Sequence, residues 1–201
     1  MLTTPGAARV HHDPTTPLDG RPTAGAGTVA AMPISSTEGK SWTRERIRAL
    51  GPVSVLDVGA GAGTYAKLLG DVDTTRLTAL EVFEPYVATY GLRDLYDEVL
   101  IGDARTTELP AADVVILGDV AEHMERTAAL DLWARAAASA RRAVYLSIPI
   151  VDYPQGALEH NHHEVHVVDD WDHEKVLAAF DGIGAHWTGE VVGVYERLTR
   201  A

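Results

Sequence analysis

Four carboxylates, each at or near the end of an apolar run, are the groups of this chain best suited to hold a ligand. Asp57 lies within Val-Ser-Val-Leu-Asp-Val-Gly-Ala-Gly-Ala-Gly at 53–63, Glu81 follows Leu-Thr-Ala-Leu, Asp103 follows Leu-Ile-Gly, and Asp119 follows Val-Val-Ile-Leu-Gly. Gly59, Gly61 and Gly63 let the backbone turn through φ > 0 and approach a ligand closely, and the N–H groups that open the next helix point into the same space. A carboxylate at a strand end accepts from both hydroxyls of a ribose, the role read for Glu81, and one at Asp103 accepts from an adenine amino group.

These groups meet only if strands and helices alternate, and the sequence alternates. Strands are predicted at 53–58, 76–82, 98–101, 112–117, 143–148, 183–188 and 191–198. Helices are predicted at 41–50, capped by Ser41 or Thr43, at 64–69, from Pro85 to Tyr90, at 126–140 and at about 172–180. β-rich runs separated by amphipathic stretches imply right-handed crossovers and a sheet covered on both faces, with ligands beyond the carboxyl ends of its strands. The last two strands flank a tight Gly189-Glu190 turn and form an antiparallel hairpin. The fold class expected is α/β: a Rossmann-like, doubly wound, seven-stranded, mostly parallel sheet with a C-terminal antiparallel hairpin.

A glycine turn with a distant acid also describes a dinucleotide site, so charge must discriminate. Asp57, Glu81, Asp103 and Asp119 around one crevice repel a pyrophosphate. The glycines are spaced G-x-G-x-G, whereas the dinucleotide fingerprint is G-x-G-x-x-G. A cationic nucleoside fits better, and S-adenosylmethionine is one. At these residues, Leu56 to Gly63, Glu81, Gly102-Asp103 and Gly118-Asp119-Val120-Ala121-Glu122-His123, the chain resembles the class I S-adenosylmethionine-dependent methyltransferases. Within them it looks most like the small single-domain type that includes the ubiquinone-biosynthesis enzymes. The resemblance runs from Trp42 to the C-terminus. It implies that Asp57 and the turn at Gly59, Ala60, Gly61 and Gly63 hold the methionine end, Glu81 the ribose, and Asp103 with Ala104 the adenine, while Phe83 packs on the purine and Asp119 completes the crevice. The implied function is methyl transfer to a small-molecule acceptor at oxygen; the alternatives are an NAD(P)-dependent oxidoreductase and a non-catalytic nucleoside-binding module on the same fold.

Methyl transfer from a sulfonium needs no acid, and a base only where the acceptor must lose a proton. His123 is a candidate base beyond the fourth strand. In Glu159-His160-Asn161-His162-His163-Glu164-Val165-His166, four of the nine histidines fall within seven residues. The β-branched residues there favour an extended chain, with His162, Glu164 and His166 on one face. The spacing is not the H-E-x-x-H of a zinc helix, so no metal is assigned to the histidine run. Glu164 and His166 are the preferred acceptor-side pair, with Tyr153 and Gln155 as a candidate wall.

A formal net charge of -12 argues against a broad nucleic-acid surface. There are no cysteines, hence no disulfide framework, thiolate metal site or thiol nucleophile. With no apolar run long enough for a bilayer and no secretory leader, the expectation is a cytoplasmic protein off the membrane. Residues 1–33 carry five of the ten prolines and few apolar side chains and are read as a disordered tail before a domain at 34–201, with translation starting at Met32.

Overall fold

Runs rich in β-branched and apolar residues place four strands at the centre of a sheet. The computed structural model describes residues 36–158 and 160–199; the predicted tail and the start at Met32 lie outside the described residues. The strands are β1 (Val53–Val58), β2 (Thr74–Glu81), β3 (Glu98–Ile101), β4 (Ala112–Gly118), β5 (Ala140–Pro149), β6 (Ala185–Thr188) and β7 (Val192–Leu198), in the spatial order β3-β2-β1-β4-β5-β7-β6. Pairings from β3 through β5 are parallel; β7 runs antiparallel to both β5 and β6. The expected fold class is the one observed, and the reversal of strand order falls between β1 and β4, where an open α/β sheet leaves a crevice.

Alternation along β4 splits the core into two layers. Val115 and Leu117 face a cluster that includes Leu132, Trp133, Trp171 and Phe180; Val114 and Ile116 face another that includes Ile47, Tyr65, Leu69 and Leu92. Both faces of β4 are therefore dry, as a parallel strand between helical layers requires. The covering helices are α1 (Lys40–Ala49), α2 (Thr64–Leu68), α3 (Pro85–Thr89), α4 (Leu92–Leu95), α5 (Arg126–Ser139) and α6 (His173–Ala179).

Several element ends differ from the predicted ones. Neither Ser41 nor Thr43 caps α1: its N-cap is Gly39 at φ 71°, and Thr43 Oγ1 instead donates to the Gly39 carbonyl at 3.1 Å within the first turn. A Cβ at Gly39 would overlap Val194, so packing and a left-handed backbone select glycine there. Helix α4 has no counterpart in the prediction; it starts after Gly91 at φ 61° because Leu92 finds full burial. The hairpin turn is Gly189 to Val191, longer than the two residues expected. Its backbone donors are met by Glu38, whose carboxylate accepts from the N–H of Glu190 (3.2 Å), Val191 (2.9 Å) and Val192 (2.7 Å).

Candidate functional site

The carboxyl ends of β1, β2, β4 and β5 open onto a cleft of about 430 Å³, within the size range of small-molecule sites. The glycine turn forms its floor. Gly59, Gly61 and Gly63 all take left-handed φ, at 75°, 50° and 72°. Gly59, Ala60 and Gly61 line the cleft. Gly63 does not: it caps α2, where a Cβ would press on Leu95.

Glu81 is the best-organised of the predicted residues. Its Oε2 accepts from Gly61 N and its Oε1 from Phe83 N, both at 2.8 Å, so strand end and glycine turn are fixed to each other through one carboxylate. Burial pushes the carboxyl up, and the backbone donors pull the other way. Each carboxylate oxygen retains acceptor capacity, which suits a pair of ribose hydroxyls.

Besides Gly63, two more of the cofactor residues need correction. Phe83 does not line the cleft: its ring packs edge-on against Tyr86 with centroids 4.9 Å apart, and Val82, one residue earlier, takes the cleft position. β2 ends at Glu81 and the chain bends at Val82 toward α3, so the residue that reaches the cleft comes one earlier than expected. Asp57 is fully buried behind the turn, outside the cleft lining, with Oδ2 accepting from the Tyr96 hydroxyl at 2.5 Å and Oδ1 lacking a hydrogen-bond partner. Burial raises its pKa from 3.8 to about 6 against the Tyr96 hydrogen bond and the nearby Lys40 charge, with Glu81 and Asp119 adding to the rise.

The charge argument survives with a changed membership. Asp119, at φ 54°, accepts from Ser147 Oγ at 2.6 Å and pairs with Lys40 Nζ at 3.1 Å. Lys40 also donates to the Tyr65 hydroxyl at 3.1 Å; burial works against its charge, but Tyr65 and Asp119 outweigh it and push the ammonium pKa up. Asp103 lines the cleft beside Ala104, but Arg105 holds both its oxygens and, through hydrogen bonds, draws its pKa down. Asp103 also caps its turn, accepting from Arg105 N at 2.9 Å. Glu81, Glu122 and Glu164 then supply the cleft's acidity, none of them in a salt bridge among the described residues.

Gly118 keeps this arrangement close-packed. A Cβ there would overlap the Tyr65 ring, which is buried. Gly118→Ala is expected to cost about 1–3 kcal/mol in urea melts, because an enclosed ring has to move. A neutral outcome would mean that the Tyr65 wall yields freely.

The acceptor side is built from two loops. After β4, a 3-10 turn at Ala121–His123 brings Glu122 and His123 to the cleft; after β5, the chain returns through Tyr153, Gln155, Glu164 and His166. His162–Glu164 is a 3-10 turn rather than an extended segment, because Asn161 Oδ1 accepts from His163 N at 2.9 Å and closes it. His162, Glu164 and His166 therefore do not share an extended face, and His162 and His163 are exposed. His166 instead meets His123, with ring centroids 4.9 Å apart. Glu164 lines the same cleft, its carboxylate accepting a long hydrogen bond of 3.4 Å from Asn161 Nδ2 and its backbone carbonyl a shorter one of 2.8 Å from Gln155 Nε2. Burial lowers the His166 pKa against the opposing pull of the Tyr153 carbonyl, a direction that favours the neutral ring.

Lys40 and Glu122 are site residues the sequence reading left out. Lys40 carried no signal, since its partner Asp119 is distant in the chain. Glu122 did: it stands in the quoted Glu122-His123 pair, yet only the fold shows it 2% exposed, with Oε2 unpartnered and burial, then Asp119, pushing its pKa well up.

With this geometry in place, residues 56–144 match a family model described as a methyltransferase domain. The fold recurs in solved structures at low identity. One is the N-terminal domain of EvdMO1 with S-adenosylhomocysteine bound (18% identity, TM-score 0.58, covering 83% of this chain and 82% of that one). Another is the Burkholderia thailandensis 1,6-didemethyltoxoflavin-N1-methyltransferase with bound 1,6-didemethyltoxoflavin and S-adenosylhomocysteine (19%, TM-score 0.60, 82% and 79%). The mitomycin 7-O-methyltransferase MmcR is a third (18%, TM-score 0.56, 79% and 55%). No curated protein matches the chain. Residues 56–144 thus form a methyltransferase domain, with S-adenosylmethionine as its cofactor, on the fold shared with these S-adenosylhomocysteine-bound structures. These matches do not carry the narrower likeness to the ubiquinone-biosynthesis enzymes. Among the described residues no helix is long and apolar enough to cross a membrane.

Proposed function

We propose that the chain methylates an oxygen atom of a small-molecule acceptor in the cytoplasm. The observation that supports this reading most is that Glu81, fixed by the glycine turn, and the His123–His166 pair line one continuous cleft. When bound, S-adenosylmethionine supplies an electrophilic methyl group on sulfur, which departs as a neutral thioether. Glu81 takes the ribose hydroxyls, Gly59 to Gly61 let the cofactor approach the backbone, and Ala104 and Val82 flank the base. Asp103 keeps one edge polar, and the Lys40–Asp119 pair closes the floor.

His123, Glu164 and His166 are the acceptor-side residues in this reading. The Nδ1 atoms of both histidines lie against backbone carbonyls, His123 against Val165 at 3.2 Å and His166 against Tyr153 at 2.6 Å. A carbonyl only accepts, so each Nδ1 carries the hydrogen and each Nε2 keeps its lone pair for a proton leaving the acceptor hydroxyl.

Calorimetry with S-adenosylhomocysteine is expected to give micromolar binding, about −8 kcal/mol. Protein incubated with methyl-labelled S-adenosylmethionine and pooled hydroxyl-bearing small molecules is expected to put the label into ethers or esters. Label found in amines alone would overturn the oxygen assignment; S-adenosylhomocysteine binding with no transfer to any pool would favour a non-catalytic module.

A further inference from the structure

We propose that Glu122, His123 and His166 bind one divalent transition-metal ion on the acceptor side of the cleft. Each offers one ligand atom, and the three atoms lie within 4.8 Å of one another. Three atoms so spaced always leave a point no more than about 2.8 Å from all of them, so moves of about 0.7 Å reach ordinary zinc–nitrogen and zinc–oxygen lengths. Two imidazoles and one carboxylate form a donor set that suits zinc, iron or nickel and leaves coordination positions open.

Two further observations point to a ligand. Glu122 is 2% exposed and its Oε2 has no hydrogen-bond partner, whereas the residue's backbone carbonyl is fully employed, accepting from Val167 N (2.8 Å) and Val168 N (3.1 Å). A buried carboxylate oxygen without a donor calls for a cation. Both histidines, moreover, have Nδ1 held by a backbone carbonyl, the outer-shell arrangement that fixes the tautomer and turns Nε2 toward a metal. The set takes only His166 from the histidine run that stands out in the sequence, and it joins the loop after β4 to the loop after β5.

The inference deepens the proposed function and rests on it for what the ion meets. An acceptor oxygen bound in an open position would lose its proton more readily, leaving Glu164 as the group that takes it. Metal binding itself can be read without any methyl transfer.

The test is calorimetric titration of the metal-stripped full chain with zinc, and with cobalt followed by visible absorption. One tight equivalent is expected, with cobalt bands typical of nitrogen and oxygen ligands. Glu122→Gln and His166→Gln are each expected to weaken it about tenfold or more, the scale seen for ligand-set defects, while the exposed pair His162→Gln/His163→Gln leaves it unchanged. Unchanged tight binding in Glu122→Gln and His166→Gln, with circular dichroism and S-adenosylhomocysteine binding intact, would overturn the site, as would finding no tight equivalent at all. If Glu122→Gln fails to fold, His123→Gln, at a half-buried position, takes its place. Failure of the methyltransferase reading shows up differently, as loss of S-adenosylhomocysteine heat with the metal equivalent retained.

Discussion

Asp57→Asn is expected to gain stability over the unsubstituted chain as pH rises from about 4 to about 7, by about 3 kcal/mol across that window. Asp57 is fully buried, and its folded pKa is raised to about 6 from an unfolded 3.8. A raised carboxyl binds more protons folded than unfolded, so the native chain loses stability between those two values and is level above them. Asparagine does not titrate and still accepts from Tyr96. It adds an unpartnered buried amide, but that cost is the same at every pH and leaves the slope intact. The groups facing Asp57 are Tyr96, Lys40, Glu81 and Asp119. Urea melts at pH 4, 5, 6 and 7 read the difference; a constant gap would show that Asp57 stays charged throughout.

Glu81→Ala should have the larger effect on the cofactor. Two charge-assisted hydrogen bonds to ribose are together worth about 3–6 kcal/mol, and so about 100-fold or more in the dissociation constant. The substitution also strips the acceptor from Gly61 N and Phe83 N. The glycine turn then loses its tie to β2, and a thermal shift accompanies the weaker binding. Glu81→Gln separates the two effects: one oxygen still accepts from a backbone N–H, so stability largely returns while affinity for S-adenosylhomocysteine stays low. Wild-type affinity in both variants would remove Glu81 from the site.

What the sequence made legible was whatever repeats along one stretch of chain. Val53 to Val58 and Ala112 to Leu117 read as buried strands because they are rich in β-branched and apolar residues, and Glu81 read as a ligand because it ends a strand. Contacts between distant stretches stayed hidden. Nothing near Asp57 announces Tyr96, nor anything near Lys40 its pairing with Asp119, because each pair meets only once the sheet has brought two loops together. The histidine run was misread for a local reason: the β-branched valines favoured extension, but one hydrogen bond from His163 N to Asn161 Oδ1 was enough to close a turn. Phe83 failed by a single residue, because the strand ends at Glu81 and the bend at Val82 turns the Phe83 ring onto Tyr86 of α3.

The grip of Glu38 on the turn before β7 bears on the order in which the protein can be finished. Glu38 stands two residues ahead of Lys40, whose ammonium holds Asp119 at the floor of the cleft, and its partners are Glu190, Val191 and Val192. A chain emerging from the ribosome has made the glycine turn and Glu81 long before those partners exist. The anchor ahead of Lys40 therefore waits for the final strand, and a nascent chain stopped short of Val192 carries the cofactor motif without the clasp that steadies one side of it.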